Sequence, residues 1–305
     1  MPSEYNDQAR YNLAWSHLKL GETSKAILQF DKVLSHTNDQ ELQSKALCHL
    51  GDIYYDNEHL SKAQEFYDQV LRDFSQSSYA DYAQYRVADA FSKLGKTDAA
   101  ILAYQSLDIH YPESEYRDQA LYGLGMAYLV KEDYKKALEA FASLNDSFPQ
   151  SAFKTRSIFQ QGLAFYNLNQ FEKALPIFEE IESKDFGADL MIFAMYQSGL
   201  CYLKLNQEEK ALEKFKSLLG LFGSHQKAAD VYYLLAEYHY DKREYVDARV
   251  YYDELVTRFG DHDMAENALY RSAYTYQWDG QLDLAAEKYW EVLAKYPEVR
   301  LLWMR

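Results

Sequence analysis

The stretch that decides the fold is Tyr111 to Pro149, YPESEYRDQALYGLGMAYLVKEDYKKALEAFASLNDSFP, because most of the chain repeats its marker residues in steps of 37. Alanine occupies one position of every step, with an aromatic residue four positions later and a small residue twelve positions earlier. The alanines are Ala26, Ala63, Ala100, Ala137, Ala174, Ala211, Ala248 and Ala285. The aromatic residues are Phe30, Tyr67, Tyr104, Phe141, Phe178, Phe215, Tyr252 and Tyr289. The small residues, here called the small markers, are Ala14, Gly51, Ala88, Gly125, Gly162, Gly199, Ala236 and Ala273. A fixed period of this length without insertions predicts a stacked array of identical structural units.

Each unit is predicted to be a pair of helices. In the fourth unit, Ser114 is a suitable N-cap for a first helix that ends near Val130, and the polar residues 131–133 form a break before a second helix that ends near Asn145. Apolar residues recur at the three-and-four spacing of a helical face in both segments. The fold class is therefore all-α, with eight helical hairpins and about 16 helices in a single continuous array over residues 1–305. We place the repeats at about 5–37, 41–74, 78–111, 115–148, 152–184, 188–222, 225–259 and 262–296.

The composition narrows the classes of partner. The chain is acidic, with 32 basic and 47 acidic residues and a net charge of -15, which disfavours nucleic acids and anionic membrane surfaces. No apolar run approaches the roughly 20 residues of a membrane span, and residues 1–15 lack the regions of a signal peptide. Cys48 and Cys201 lie four repeats apart, too far for a disulfide within one chain, so the cysteines leave the compartment undetermined.

The two ends and one proline carry further predictions. Residues 2–9, PSEYNDQA, nearly repeat the junction PESEYRDQA, and Leu301, Leu302 and Trp303 look like the opening of another unit, so the chain is expected to be part of a longer array. The junction 182–188 departs from the usual aromatic-Pro/Gly/Ser pattern. Pro176 is expected in the first turn of a second helix, where its missing N–H is tolerated.

The marker pattern resembles that of the tetratricopeptide repeat, although the period is 37 residues rather than the usual 34. The resemblance covers residues 2–297 and implies a right-handed α-solenoid that acts as a protein-interaction scaffold. The junction is similar to that of two bacterial cell-envelope members, the accessory protein of the tol-pal system and the lipoprotein of the outer-membrane assembly machinery. That likeness implies a larger bacterial assembly and the periplasm as the compartment.

In that family the first helices line a concave groove, which predicts two lines of candidate binding residues. The first line, three residues before each small marker, is here called the ring series: Tyr11, Cys48, Tyr85, Tyr122, Phe159, Tyr196, Tyr233 and Tyr270. The second line, one residue after each small marker, is Trp15, Asp52, Asp89, Met126, Leu163, Leu200, Glu237 and Tyr274. The predicted groove consists of Tyr85, Tyr122, Met126, Leu129, Phe159, Leu163, Tyr166, Tyr196, Leu200 and Leu203, with an acidic rim of Asp52, Asp89 and Glu237. Such a surface suits a peptide or an amphipathic helix with basic flanks.

Two interpretations of these residues stay open. The ring series either packs successive first helices together or binds a ligand, and the same choice applies to Met126, Leu163 and Leu200. Exposed rings beside carboxylates also suit a polysaccharide-binding array of an export system. Self-association through uncapped ends is a third route to a structural scaffold.

Catalytic chemistry is not predicted. The sequence has no His-Glu-x-x-His pair, no paired-cysteine motif and no Gly-rich phosphate loop, so no metal, no cofactor and no enzyme activity is expected. His17 and His239 replace an aromatic of the repeat and are expected in the core, while His225 and His262 lie at junctions where helices begin. The charged clamp with which some family members hold a terminal carboxylate is not matched, because the ring series occupies its lysine position.

Overall fold

The computed structural model describes residues 4–184 and 186–296, and within them the chain forms sixteen α-helices. In chain order they are α1 (Glu4–Lys19), α2 (Thr23–His36), α3 (Gln40–Asp56), α4 (Leu60–Asp73), α5 (Ala80–Lys93), α6 (Thr97–His110), α7 (Arg117–Val130), α8 (Tyr134–Ser147), α9 (Lys154–Asn167), α10 (Phe171–Ser183), α11 (Ala188–Lys204), α12 (Glu208–Phe222), α13 (Ala228–Asp241), α14 (Tyr245–Arg258), α15 (Ala265–Trp278) and α16 (Leu282–Lys295). Odd-numbered helices are the first helices of the repeats and even-numbered helices are the second. The all-α class and the eight helix-turn-helix units are confirmed.

One left-handed residue at a fixed register closes the turn within every repeat. These residues have φ between 57° and 76°: Gly21, Glu58, Gly95, Glu132, Asn169, Asn206, Arg243 and Gly280. The next amide reaches back five residues into the first helix, as in the 2.9 Å bond from the Glu22 N–H to the His17 carbonyl. This pairing satisfies a carbonyl at the helix end and sets the direction of the second helix.

The small markers let the two helices of a repeat cross closely. A Cβ on Gly125 would lie 2.4 Å from the Phe141 ring, and the same distance separates a Cβ on Gly51 from Tyr67 and one on Gly199 from Phe215. The alanines of the second helices are buried in all eight repeats and the rings that follow them are buried in the first seven, so the marker residues of the sequence form the core.

Junctions between repeats are capped by a side chain that accepts from the amide two residues later. Ser114 accepts from the Tyr116 N–H at 3.1 Å, and helix α7 begins at Arg117, three residues beyond the predicted cap. His225 and His262 do the same through Nδ1, at 3.1 and 3.3 Å, so both junction histidines replace a capping serine. Neutral imidazole nitrogens are acceptors, which explains how histidine can substitute here.

Two junctions differ from the rest. Helices α3 and α11 have 17 residues, longer than the 13 to 16 residues of the other helices, because each gains a turn at its start. Asp39 caps α3 by accepting from the amides of Glu41 and Leu42, and Gly187, with φ of 91°, precedes α11. The departure predicted at 182–188 is therefore present. The similar departure before α3 was not predicted from the sequence.

The helices group into two compact units. The first unit, Met1–Leu168, contains α1 to α9, and the second unit, Asn169–Arg305, contains α10 to α16. A single continuous array over the whole chain stays a prediction. The predicted further repeat at Leu301, Leu302 and Trp303 lies outside the described residues.

Three smaller predictions have mixed outcomes. The position expected for Pro176 is wrong, because α10 begins at Phe171 and the proline therefore lies beyond the first turn, where its missing N–H costs the helix one backbone hydrogen bond. Cys48 and Cys201 are both buried and unpaired. Among the described helices, none combines the length and the apolar character that crossing a membrane requires.

Candidate partner-binding site

The ring series packs on the second helices. The centre of the Tyr122 ring lies 6.0 Å from that of Phe141 and 5.1 Å from that of Phe153 in the next junction. Tyr85 stacks on Tyr116 at 5.7 Å. These rings are half-buried, so one edge of each reaches solvent while the other stabilises the helix packing. The second unit repeats the arrangement, with Tyr196 against Phe215, Tyr233 against Tyr252 and Tyr270 against Tyr289.

Apart from Tyr85 on α5, the predicted groove residues of the first unit lie on α7 and α9. Met126 and Leu129 are half-buried and pack beside the core that contains Tyr128 and Phe141. On α9, the three predicted residues Phe159, Leu163 and Tyr166 are likewise half-buried, whereas the intervening small marker Gly162 is buried. Each first helix therefore presents apolar side chains that are only partly covered.

The predicted apolar groove residues of the second unit lie on α11. Tyr196, Leu200 and Leu203 are half-buried and pack against the core that contains Phe215. We call Met126, Leu129, Leu163, Tyr166, Leu200 and Leu203 the apolar row. The row is described separately in each unit, as four residues in the first and two in the second.

The carboxylate of Asp52, predicted to form part of an open rim, is held inside a group of polar side chains. Its Oδ1 accepts hydrogen bonds from the hydroxyls of Tyr67 at 2.7 Å and Tyr82 at 2.6 Å. The Nε of Arg86 lies 3.2 Å from the same oxygen and donates to the Tyr67 hydroxyl at 3.1 Å. We call Asp52, Tyr67, Tyr82 and Arg86 the Asp52 cluster. It connects the second repeat to the third, since Tyr82 and Arg86 lie on α5.

The surroundings of the Asp52 cluster favour one protonation state of each of its ionisable side chains. Burial, followed by the charge of Asp52, raises the pKa of Tyr67 and Tyr82 above the usual range. Burial opposes the ionisation of Asp52, but hydrogen bonds from His49 and the two tyrosines and the charge of Arg86 outweigh it and lower the pKa of the carboxyl. Burial likewise opposes the charge of Arg86, yet its partners raise its pKa. The cluster is an ion pair surrounded by neutral hydroxyls.

The other two predicted rim acids are also engaged. Asp89 accepts a hydrogen bond from the Tyr55 hydroxyl and lies 3.8 Å from Nη1 of Arg86. In the second unit, Glu237 accepts from the Tyr252 hydroxyl and lies 3.1 Å from Nη2 of Arg271. We call Glu237, Tyr252 and Arg271 the Glu237 cluster.

A pairing rule connects these sites. Where an acid follows the small marker, the second-helix aromatic is a tyrosine: Asp52 with Tyr67, Asp89 with Tyr104, and Glu237 with Tyr252. Where an apolar residue follows the marker in the first seven repeats, the aromatic is phenylalanine: Trp15 with Phe30, Met126 with Phe141, Leu163 with Phe178, and Leu200 with Phe215. In two of the acidic repeats the tyrosine hydroxyl donates to that acid directly. A buried hydroxyl needs such an acceptor, and sequence reasoning overlooked the correlation that reveals it.

Histidines of the first and seventh repeats form a second kind of pair. Nδ1 of His17 lies 2.6 Å from Oε2 of Glu22, and Nδ1 of His239 lies 2.6 Å from Oε2 of Glu244. Both rings are largely covered, as expected for a residue that replaces a core aromatic, but each also joins the end of a first helix to the start of a second.

The two thiols are unsuited to nucleophilic chemistry. Burial, followed by the charge of Glu179, raises the pKa of Cys201 to about 12. Burial also raises the pKa of Cys48 well above its usual range. Because the thiolate is the reactive form, neither side chain is activated near neutral pH.

A cleft of about 550 Å³ in the first unit lies away from the predicted groove. Ile109, Leu121 and Leu124 contribute apolar surface, and Arg117 at its edge pairs with Asp108 at 2.7 Å. The α7 residues that line it occupy the face of the helix opposite Met126, because 100° separates successive residues of an α-helix. The cleft and the apolar row are therefore separate surfaces.

Family models match the repeats across the chain. One tetratricopeptide repeat model matches residues 8–36, 82–114, 119–151, 156–185 and 267–298, and two others match residues 196–263 and 44–72. The chain belongs to the tetratricopeptide repeat family. Repeats of this family are generally protein–protein interaction modules, and their fold is typically non-catalytic. The finer likeness to the two envelope proteins stays a prediction. No curated protein sequence matches the chain.

Solved structures share the fold at low sequence identity. The C-terminal part of a tetratricopeptide protein from Cytophaga hutchinsonii is 18% identical, with a TM-score of 0.66 over 83% of this chain and 96% of the other. A tetratricopeptide protein from Parabacteroides merdae is 16% identical, with a TM-score of 0.58 over 87% and 98% of the two chains. YrrB, described as a protein with an unusual peptide-binding site, is 22% identical, with a TM-score of 0.53 over 65% and 95%.

Proposed function

We propose that this protein is a non-catalytic scaffold whose first helices bind an extended peptide or an amphipathic helix of a partner protein. Membership of the tetratricopeptide family supports the general role. The peptide-binding site ascribed to YrrB is a further precedent for peptide recognition on this fold. A place within a bacterial envelope assembly rests on sequence resemblance alone.

The observation that carries the proposal is the chemistry of the position after each small marker. The fold accepts an acid there, as Asp52 and Glu237 show. Met126, Leu163 and Leu200 are apolar at the same register and only half-buried, so helix stacking alone does not demand them. Partly exposed apolar side chains on an ordered helix lose contact with water when a partner's apolar face covers them.

Charge plays a smaller part in this proposal than the sequence predicted. Asp52 and Glu237 already face Arg86 and Arg271 at 3.2 and 3.1 Å. A basic flank of the partner would have to share or displace an arginine, and separating a partly buried ion pair opposes binding. The three acids stay proposed as the rim, secondary to the apolar row.

The polysaccharide-binding alternative gains no specific support. It requires carboxylates that are free to accept from sugar hydroxyls, whereas Asp52 and Glu237 accept from tyrosine hydroxyls of the protein. Self-association through the ends is a separate proposal, which sedimentation velocity of the purified chain would test.

The test uses peptides of defined sequence. A random peptide library displayed on phage is selected against the purified chain, and the affinities of enriched peptides are measured by fluorescence anisotropy. Three variants are compared: Met126→Ser, the double variant Leu163→Ser with Leu200→Ser, and the triple variant. Each is expected to weaken peptide binding, and the triple variant should do so at least about tenfold, because roughly 1–2 kcal/mol of apolar contact is lost.

The matched control is Leu102→Ser. Leu102 is 68% exposed on the second helix α6, away from the apolar row, so its replacement should leave peptide affinity unchanged. Circular dichroism establishes that each variant is folded. Selection that enriches no peptide, or an equal loss of affinity in Leu102→Ser, would show that the apolar row is not the binding surface.

A further inference from the structure

Three side chains with metal-binding atoms converge at the hairpin turn of the seventh repeat. His239 lies in the last turn of α13, Glu244 immediately precedes α14, and Asp247 lies in the first turn of α14. One ligand atom from each residue falls within 4.8 Å of the other two. The spacing His-x4-Glu-x2-Asp is neither a His-Glu-x-x-His pair nor a paired-cysteine motif, so only the folded turn reveals the group.

The turn holds the imidazole in place before any ligand arrives. The ring of His239 is stacked on Tyr251, with centres 5.4 Å apart, and only 14% of its side chain is exposed. The Glu244 amide donates to the His239 carbonyl at 2.9 Å, across the left-handed residue Arg243. A fixed ring beside a fixed turn lowers the ordering cost that a metal site must otherwise overcome.

The first repeat supplies an internal comparison at the same register. There, His17 pairs with Glu22 through the same 2.6 Å contact, but the residue three positions after the glutamate is Lys25. The ammonium of Lys25 lies 2.7 Å from Oε1 of Glu22. The first repeat thus provides its own cation beside the His–Glu pair, whereas the seventh repeat has a second carboxylate, Asp247, in place of that cation.

The local charge favours a divalent cation in the seventh repeat. Glu244 and Asp247 bring two carboxylates to one imidazole. The nearby ammonium of Lys242 is directed elsewhere, since it lies 2.6 Å from Oε2 of Glu208 and also contacts Tyr238. A divalent ion would balance the two carboxylates, and its coordination would replace the contact between Nδ1 of His239 and Oε2 of Glu244.

We propose that His239, Glu244 and Asp247 form a binding site for a divalent transition-metal ion such as Zn²⁺, which fastens the α13–α14 turn. One imidazole nitrogen and two carboxylate oxygens are ligands of zinc, and water completes the coordination. Bonds of about 2.0–2.2 Å place neighbouring ligand atoms roughly 3.3 Å apart, so the His–Glu contact opens slightly and Asp247 moves inward by side-chain rotation. Imidazole disfavours Mg²⁺ and Ca²⁺, which select oxygen ligands.

The test is isothermal titration calorimetry of the full, chelator-treated chain with ZnCl₂, and with MgCl₂ as a reference. The wild-type chain is expected to bind one Zn²⁺ saturably and to show no comparable site for Mg²⁺. Asp247→Asn and Asp247→Lys, the latter copying the first repeat, should weaken that site at least tenfold. The reciprocal change Lys25→Asp should create a second site, which raises the stoichiometry from one to two.

Two outcomes would overturn the inference. Zn²⁺ binding that is absent, or equally strong in wild type and Asp247→Asn, would mean that these three residues do not hold a metal. An unchanged stoichiometry in Lys25→Asp would mean that a second carboxylate does not convert the turn of the first repeat into a metal site. Circular dichroism of each variant separates loss of binding from loss of folding, and Asp247 is exposed, so the helices are expected to persist.

Discussion

One residue after the small marker, the second repeat has Asp52 and the fourth repeat has Met126, both in the first compact unit. Asp52 faces the hydroxyl of Tyr67, whereas Met126 packs beside the core that contains the phenylalanine Phe141. The same helix crossing is thus built once around an ion pair with hydroxyls and once around apolar contacts. The comparison teaches that an acid on this face has partners within the protein, whereas an apolar residue there keeps an exposed side that we propose contacts the peptide.

Removal of the Asp52 carboxylate gives the largest effect. Asp52→Ala leaves the Tyr67 and Tyr82 hydroxyls without their acceptor and Arg86 without its counter-charge, so the free energy of unfolding should fall by about 3 kcal/mol. Met126→Ala, which removes only half-buried apolar surface, should cost about 1 kcal/mol. Urea titrations followed by circular dichroism measure both. If Asp52→Ala lowers the free energy of unfolding no more than Met126→Ala does, Asp52 is not a structural partner and is again a candidate for ligand binding.

The helix crossing itself is tested by the glycine that permits it. Gly125→Ala places a Cβ 2.4 Å from the Phe141 ring, and such overpacking should destabilise the protein by about 2 kcal/mol. Gly220→Ala in α12 is the control, since a Cβ there meets nothing within 4 Å, and it should stabilise by up to about 1 kcal/mol. Thermal unfolding temperatures that move in the same direction for both variants would contradict the close crossing.

The period of the sequence predicted the helices well and the surface chemistry poorly. Spacing fixes which residues share a face within a repeat, and the buried alanines and small markers follow from it. The contact of Arg86 with Asp52 joins two repeats, and its geometry depends on how the helices stack, which spacing alone does not give. The acids were consequently predicted as open rim charges. The His239 group was overlooked for the same reason, because a turn brings its three residues together.

A smaller effect concerns pH. The pKa of Asp52 is lowered in the folded protein, although burial opposes this, because hydrogen bonds and Arg86 favour the charged form. A lowered pKa contributes stability that is present above the pKa of the unfolded chain, near 3.8, and is lost as the pH falls through the folded value. Urea midpoints measured between about pH 6 and pH 3 should therefore fall less steeply in Asp52→Asn than in wild type. Parallel profiles would mean that Asp52 is not the titrating group.

The smallest expected effect comes from replacing both partners of an ion pair that is less well satisfied than the Asp52 cluster. In the second unit, Arg249 is only 7% exposed and its Nη2 lies 2.9 Å from Oδ2 of Asp279. Its Nη1 is buried and has no hydrogen-bond partner among the described residues. The corresponding positions of other repeats are mostly aliphatic: Ile27, Ile101, Leu138, Leu175 and Leu212.

Replacing both Arg249 and Asp279 should therefore leave the stability intact, whereas removing only one of them should lower it. Asp279→Ala leaves the Arg249 guanidinium buried without a counter-charge and should cost about 2 kcal/mol. Arg249→Leu combined with Asp279→Leu removes the unsatisfied N–H group and should leave stability unchanged or raise it by about 1 kcal/mol. A double-mutant cycle by urea unfolding gives the coupling between the two side chains. Equal losses of unfolding free energy in the single and double variants would mean that this ion pair stabilises its repeat as the Asp52 cluster does. They would also mean that the buried, unbonded Nη1 of Arg249 does not lower the stability.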